Sequence, residues 1–165
     1  MLNEDLIEMA FIDQLRGQGF EFHHGPDIAP DSDNPQRNAF DSVVLENQLL
    51  KSIEKLNPDV PSSAINEAHQ KVLNLGTEDI MENNERFHTY LTSGVPVEFT
   101  KDGASKGVNV DLLDVDNPEN NTYWAVNQLV IIENNNNRRL DVVIYINGLP
   151  LVVVELAQQQ LMVIH

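Results

Sequence analysis

The sequence contains no cysteine, which excludes disulfide bridges and zinc sites built on thiolates. No signal peptide is recognised at its start, and no apolar run is long enough to span a bilayer. The phosphate-binding motif Gly-x-x-x-x-Gly-Lys-Ser/Thr is also absent, so we expect no ATP-driven motor in this chain.

Basic residues are scarce, with 10 Lys and Arg against 26 Asp and Glu, for a formal net charge of −16. This balance argues against strong nonspecific DNA binding, which depends on cationic side chains that neutralise phosphates. It fits a module that relies on a partner to hold DNA, or an acidic protein-interaction domain. The length of 165 residues suffices for one domain with a sizeable core.

Residues 138–157 form the most informative stretch. Two runs of β-branched residues flank Asn147-Gly148, a pair that is typical of a β-hairpin turn. Asp141 lies near the outer end of the first strand and Glu155 near that of the second. A carboxylate at the end of a buried strand is costly unless it is paired or binds a cation. The two acids therefore predict a site for Mg²⁺ or Mn²⁺, which prefer oxygen ligands.

The length of the hairpin loop decides whether the acids share a face. A two-residue loop would set Leu140 opposite Glu155 and turn Asp141 the other way, since side chains alternate along a strand. Only an odd-length loop or a bulge puts both acids on one face, as a metal site requires. A three-residue loop with Gly148 in the left-handed conformation would do this. The alternative is a structural hairpin whose acids pair with the two arginines that precede Leu140.

A helix is predicted over residues 4–16, where glycines punctuate its end. Glu8 lies on the same face as the apolar stripe of this helix. The stripe consists of Phe11, Ile12 and Leu15. One interpretation makes Glu8 a flanking carboxylate that reaches solvent, and the other makes it a third acid that points at the metal site.

The rest of the chain reads as helices followed by strands. Helical patterns are predicted at 42–56, 62–76 and 77–94, the last capped by Thr77, and the apolar period changes to two from Val95 onward. His23 and His24 are interpreted as turn residues that are solvated or locally hydrogen-bonded. This order predicts an α/β or α+β layered domain with a mixed sheet flanked by helices.

Several short segments of the sequence resemble the N-terminal nuclease region of the R (HsdR) subunit of type I restriction enzymes. They include residues 138–143, 147–153 and 155–156, together with Glu8 and Gly19-Phe20 near the start. The resemblance implies a restriction-endonuclease-like mixed sheet flanked by helices. It implies a truncated nuclease-like domain over residues 1–157, followed by a divergent tail over residues 158–165.

The site that this family carries is an Asp…Glu-x-Lys core. The resemblance assigns Asp141 and Glu155 as Mg²⁺ ligands, with the backbone carbonyl of Leu156 as a third ligand and Glu8 acting through a water. Position 157 is Ala where the family has the Lys, and a methyl group cannot offset phosphate charge. We therefore expect a catalytically impaired DNA endonuclease domain that is inactive as an isolated chain.

Two other functions and several partners remain open at this point. One alternative is a non-catalytic acidic module that acts on restriction–modification or other DNA-binding proteins. The other is a working nuclease whose missing cation comes from a partner chain. The resemblance implies a cytoplasmic protein that meets DNA through a larger complex with other restriction–modification subunits. The apolar stretch at 161–164 further predicts a homodimer formed through an exposed strand edge.

Overall fold

The computed structural model of the chain describes residues 4–77 and 79–156. The helices are α1 (Glu4–Gly17), α2 (Glu46–Leu56), α3 (Ser62–Leu73) and α4 (Ile80–Ser93). The strands are β1 (Glu21–His24), β2 (Val95–Lys101), β3 (Ala104–Val110), β4 (Tyr123–Glu133), β5 (Asn136–Ile146) and β6 (Leu149–Val154). The predicted combination of helices with a mixed sheet is confirmed.

The chain divides into two compact units. One comprises the described parts of 1–43, 123–145 and 150–165, and we call it the sheet unit. The other comprises the described parts of 44–122 with 146–149, and we call it the helical unit. The predicted boundary between domain and tail, at residues 157 and 158, lies outside the described residues.

The four-stranded sheet has the order β1-β4-β5-β6. β1 runs parallel to β4, with Glu21 opposite Trp124 and His24 opposite Asn127. Two-residue turns connect β4 to β5 and β5 to β6, and neighbouring strands with such short connections must be antiparallel. α1 packs on this sheet through an apolar cluster of Ile12, Leu15, Ala125 and Val142, with Phe11, Phe20, Phe22, Ile144 and Val154 around it.

The hairpin predicted at Asn147-Gly148 is confirmed, with φ angles of 53° and 83°. Positive φ at both central residues is the signature of a type I′ turn, whose twist matches that of the strands. The loop has two residues, because β5 ends at Ile146 and β6 begins at Leu149. The expected three-residue loop is therefore wrong, although its left-handed Gly148 is present. A Cβ at Gly148 would lie 2.6 Å from the Leu49 nitrogen, so only glycine fits there.

The helical unit contains α2, α3 and α4 with the antiparallel pair β2–β3. Two predicted helix starts are corrected. α2 begins at Glu46 rather than at residue 42. Leu45, the residue before the helix, donates its backbone N–H to the carbonyl of Gly148 over 3.0 Å. α4 is capped by Asp79, whose carboxylate accepts from the N–H groups of Met81 and Glu82, and not by Thr77. An aspartate directly before a helix satisfies N–H groups that the helix leaves unpaired.

A buried arginine organises the loop before α2. Arg37 is 1% exposed and donates to the carbonyls of Phe40, Ser42 and Val130. Burial lowers the pKa of its guanidinium. Nearby on β5, the Tyr145 hydroxyl donates to the Val43 carbonyl over 2.8 Å. Burial raises the pKa of this hydroxyl above its usual range.

The sheet edge at β6 bears on the predicted homodimer. Val152 and Val153 of this strand are exposed, and within the described residues only β5 pairs with β6. The apolar stretch at 161–164 lies outside the described residues, so the homodimer stays a prediction. In the part of the chain that the structure covers, no helix has the length and apolar character needed to cross a membrane.

Candidate metal-binding site

The sheet unit contains a pocket of about 360 Å³ formed by α1, β4 and β5. Its described lining residues are Asp5, Glu8, Met9, Gln128, Arg139 and Asp141. Two of the three acids singled out from the sequence, Glu8 and Asp141, therefore face one pocket although they are far apart in the chain.

Glu8 is held by two side-chain amides. It is 9% exposed, so the interpretation that it reaches solvent is wrong. Its Oε1 accepts from Asn127 Nδ2 over 2.6 Å, and its Oε2 accepts from Gln128 Nε2 over 2.7 Å. A carboxylate oxygen has two lone-pair sites, so among residues 4–77 and 79–156 each oxygen keeps one site for a further donor or a cation. The carboxylate is thus oriented without being saturated.

Strand β4 departs from regular geometry at this point. Gln128 has φ of 52°, a left-handed conformation that costs a non-glycine residue about 1–2 kcal/mol. Neighbouring side chains on a regular strand point to opposite faces, whereas Asn127 and Gln128 here reach the same carboxylate. Gly25 permits the close packing, since a Cβ there would lie 2.7 Å from both the Asn127 and Gln128 carbonyl oxygens. Strain of this kind clusters at functional sites.

His24 extends the arrangement around Glu8. Its Nδ1 is 2.8 Å from Asn127 Oδ1, and this contact orients the amide so that Nδ2 faces Glu8. His24 is exposed, as the solvated alternative predicts, but it closes β1 and does not lie in the turn, and its hydrogen-bond partner is on β4 and is not local.

Asp141 lies on β5 and is partly buried. Its Oδ2 accepts from the backbone N–H of Leu156 over 2.7 Å. This bond ties the segment that follows β6 to the carboxylate, so the Leu156 backbone is close to Asp141. Within the described residues no hydrogen bond to Oδ1 is seen, and that oxygen is open to another partner.

Glu155 follows Val154, the last residue of β6, and its side chain is exposed. It is not among the described residues that line the pocket. With the two-residue loop, continued pairing would set Glu155 opposite Leu140 and away from the face of Asp141. Since β6 ends before this residue, strand pairing does not set its direction. Ala157, at the position of the motif Lys, lies outside the described residues.

The two arginines before Leu140 line different pockets. Arg139 faces the pocket with Glu8 and Asp141. Arg138 lines another pocket, whose other described residues are Ile131, Glu133, Asn134, Asn136 and Asn137. In the parts of the chain that the structure covers, neither arginine forms a salt bridge with Asp141 or Glu155. The alternative of a structural hairpin held by those ion pairs is not seen among these residues.

The donor set of the pocket fits a hard divalent cation. Mg²⁺ is usually held by one or two carboxylates and several waters, and Glu8 with Asp141 supplies two carboxylates with unused lone pairs. Residues 4–77 and 79–156 contain no group of three or more His, Asp or Glu placed to hold a metal ion. The pocket lining thus supplies two protein ligands, and water or groups beyond the lining would complete the coordination.

A match with known proteins bears on this chemistry. Residues 1–162 match the family described as the N terminus of the type I restriction enzyme R protein. The chain belongs to this family. It is 36% identical over 157 residues to the type I restriction enzyme HindI endonuclease subunit of Haemophilus influenzae, covering 94% of the chain and 15% of that protein. The resemblance noted from the sequence is confirmed.

A second R-protein relative comes from Methanocaldococcus jannaschii. It is provisionally named the MjaIXP endonuclease subunit of a type I restriction enzyme, and it is 30% identical over 158 residues. The match covers 93% of this chain and 15% of that protein. The chain therefore spans about one seventh of the length of either relative, within the region that the R-protein family model describes.

Asn127 and Gln128 were not recognised as site residues from the sequence. A local signal exists, since two adjacent amides interrupt the β-prone run between Val126 and Leu129. A polar pair inside an otherwise buried strand needs partners, and Glu8 is that partner.

Proposed function

We propose that this chain is the DNA endonuclease domain of a type I restriction R subunit and that its pocket binds Mg²⁺ or Mn²⁺. Asp141 and Glu8 are the protein ligands at the pocket, Glu8 directly or through a water. Glu155 and the Leu156 carbonyl complete the set from the segment after β6. The observation that carries the proposal is that Glu8 and Asp141 line one pocket in a chain whose relatives are named endonuclease subunits.

A divalent ion bound there would polarise a phosphoryl oxygen of DNA and lower the pKa of a bound water. The residues of the chain position the ligands. Asn127 and Gln128 fix both oxygens of Glu8, and the Leu156 N–H fixes one oxygen of Asp141. Ala157 supplies no charge to the phosphoryl group. The proposal therefore combines retained metal binding with weak cleavage.

The charge of the chain sets the context in which it would act. With a net charge of −16, the chain depends on other subunits of a restriction–modification complex to hold DNA tightly at physiological salt, because phosphates are bound mainly by Lys and Arg. The proposal accordingly places the domain in the cytoplasm, as part of a larger DNA-bound assembly.

Calorimetric titration with MnCl₂ tests the metal site. We expect wild type to bind Mn²⁺ and both Asp141→Asn and Glu155→Ala to bind it about tenfold or more weakly, since each loses a charged ligand. Asp13→Asn, which removes an exposed acid from α1, is the matched control and should bind as wild type does. Absence of Mn²⁺ binding by wild type would refute the proposal and favour the acidic interaction module.

A plasmid-cleavage assay tests the role of position 157. We expect little cleavage by wild type with Mg²⁺ or Mn²⁺ and a gain with Ala157→Lys, because the lysine would stabilise charge on the phosphoryl group. Cleavage gained by this variant should disappear when Glu155→Ala is added. Strong cleavage by wild type, abolished by Glu155→Ala, would contradict the expected impairment.

A further inference from the structure

We propose that Arg139 binds the phosphate of the nucleic-acid backbone at the pocket of Glu8 and Asp141, and so supplies the cation that position 157 lacks. This inference rests on the proposed function. It adds a phosphate-binding residue, from within the chain, to a site whose other side chains are acidic.

The position of Arg139 follows from strand geometry. Arg139 and Asp141 are alternate residues of β5, and alternate side chains lie on the same face of a strand. Both line the pocket with Glu8. Arg138 precedes Arg139 on β5, nearer the β4–β5 turn, and it lines the second pocket, the one with Ile131 and Glu133. The pleat of β5 therefore separates two adjacent arginines into one that faces the acids and one that does not.

The charges at the pocket define a role for Arg139. The described lining includes three acids, Asp5, Glu8 and Asp141, and Arg139 is the single Lys or Arg among the described lining residues. A phosphodiester that approached the acids alone would be repelled. A metal ion offsets part of that repulsion, and a guanidinium attracts the phosphate oxygens directly. The arrangement is thus an anion subsite beside a cation site.

The guanidinium of Arg139 is available for such a contact. It is exposed and, within the described residues, forms no salt bridge. Its planar fork matches two phosphate oxygens, and this geometry distinguishes arginine from lysine at phosphate sites. Arginine also stays protonated, so Arg139 would anchor and neutralise the phosphate and would not transfer a proton.

Binding of a fluorescein-labelled DNA duplex, followed by anisotropy at low salt with Ca²⁺ to avoid cleavage, tests the inference. We expect Arg139→Ala to weaken binding about tenfold, as the loss of a charge-assisted contact does. Arg139→Lys should recover part of the affinity, since it keeps the charge and loses the fork. Arg138→Ala is the matched control, with the same change of charge on the opposite face, and should stay within about twofold of wild type.

Mn²⁺ titration of the same variants separates this inference from the proposed function. Arg139→Ala should bind Mn²⁺ at least as tightly as wild type, because it removes a positive charge near the cation. If Mn²⁺ binds but Arg139→Ala and Arg138→Ala weaken DNA binding equally or not at all, the role of Arg139 is refuted and the metal site stands. If wild type binds no DNA, the inference is refuted as well. If wild type binds no Mn²⁺, both proposals fail.

Discussion

Asn147 in the helical unit and Glu8 in the sheet unit are both buried polar residues, and they use their hydrogen bonds differently. Asn147 is 1% exposed. Its Nδ2 donates to the Leu112 carbonyl and to Asn121 Oδ1, and its Oδ1 accepts from the N–H of Thr122 over 2.8 Å. Both of its N–H bonds are used, and its partners belong to connecting segments. Asn147 therefore holds loops in place and has little capacity left for a ligand.

Glu8 has partners of another kind. Two amide side chains hold its two oxygens at the edge of a pocket, and one of these amides sits on a strained residue of β4. Acceptor capacity remains on both oxygens. The comparison shows how a buried polar residue that stabilises the fold differs from one that is prepared for a ligand. Asn147 spends its donors on backbone and side-chain groups of connecting segments, whereas Glu8 is held in position with acceptor capacity left over.

The largest expected effect concerns Asn147, whose side-chain N–H groups are both used in hydrogen bonds. Asn147→Ala should lower the free energy of unfolding by roughly 3 kcal/mol, because it leaves buried partners unpaired and places a Cβ residue at positive φ without the asparagine amide. Urea denaturation gives the value. Mn²⁺ affinity should not change, since Asn147 does not line the acidic pocket.

Asn134→Ala is the matched control for this variant. Asn134 also has positive φ, 48°, in a type I′ turn of the sheet unit, and it is exposed. We expect a loss of about 1 kcal/mol from backbone strain alone. Equal losses for the two variants would show that the buried hydrogen bonds of Asn147 contribute nothing.

An effect of intermediate size is expected for Glu8, whose carboxylate oxygens keep acceptor capacity. In Glu8→Gln, an amide nitrogen would face one of the two donors, Asn127 or Gln128. This should cost about 1–2 kcal/mol of stability and weaken Mn²⁺ binding about tenfold or more, as the loss of a charged ligand does. Calorimetric titration and urea denaturation on one sample measure both. A stability loss without any change in Mn²⁺ affinity would make Glu8 a structural residue, like Asn147.

A smaller effect should reveal the purpose of the strain at Gln128. Gln128→Gly relieves about 1–2 kcal/mol of backbone strain and loses a hydrogen bond worth about 1 kcal/mol. Stability should therefore change little, while Mn²⁺ affinity falls because Glu8 loses one of its two restraints. Gln128→Ala keeps the strain and loses the same bond, so it should be less stable than the glycine variant. Glycine and alanine variants of equal stability would mean that φ at Gln128 carries no strain.

The smallest expected effect is a change in the pH dependence of stability, and it comes from Tyr145 in the sheet unit. Burial raises the pKa of Tyr145 above its usual range, so the folded chain keeps a proton that the unfolded chain loses near pH 10. The stability from this residue is complete below about pH 10 and falls as the pH rises further. Urea midpoints between pH 9 and pH 11 should decline less for Tyr145→Phe than for wild type. The difference in urea midpoint between the two proteins at pH 7 measures the pH-independent loss of the hydrogen bond to Val43. If the midpoints of both proteins decline equally between pH 9 and pH 11, Tyr145 is not the source of the decline.

Local patterns in the sequence were sufficient for much of the fold. The type I′ turn at Asn147-Gly148 follows from the residues that tolerate positive φ. The placement of Glu8 on the buried face of α1 follows from helical spacing to Ile12 and Leu15. Family membership followed from short sequence segments, each a few residues long, that match the family at several places along the chain. These features depend on residues that are near one another in the sequence.

The surroundings of the candidate site were decided by tertiary structure. The partners of Glu8 come from β4 and the neighbour of Asp141 from beyond β6, and no local pattern specifies contacts across such separations. The burial of Arg37, which lies in a loop, depends likewise on the Val130 carbonyl of strand β4. The separation of Arg138 from Arg139 needed the register of β5, because a shift of one residue would exchange their faces. The sequence by itself determined the elements and the acids they carry, since short-range sterics and periodicity control both; which acids, amides and cations meet at one pocket was set by the packing of α1 on the sheet.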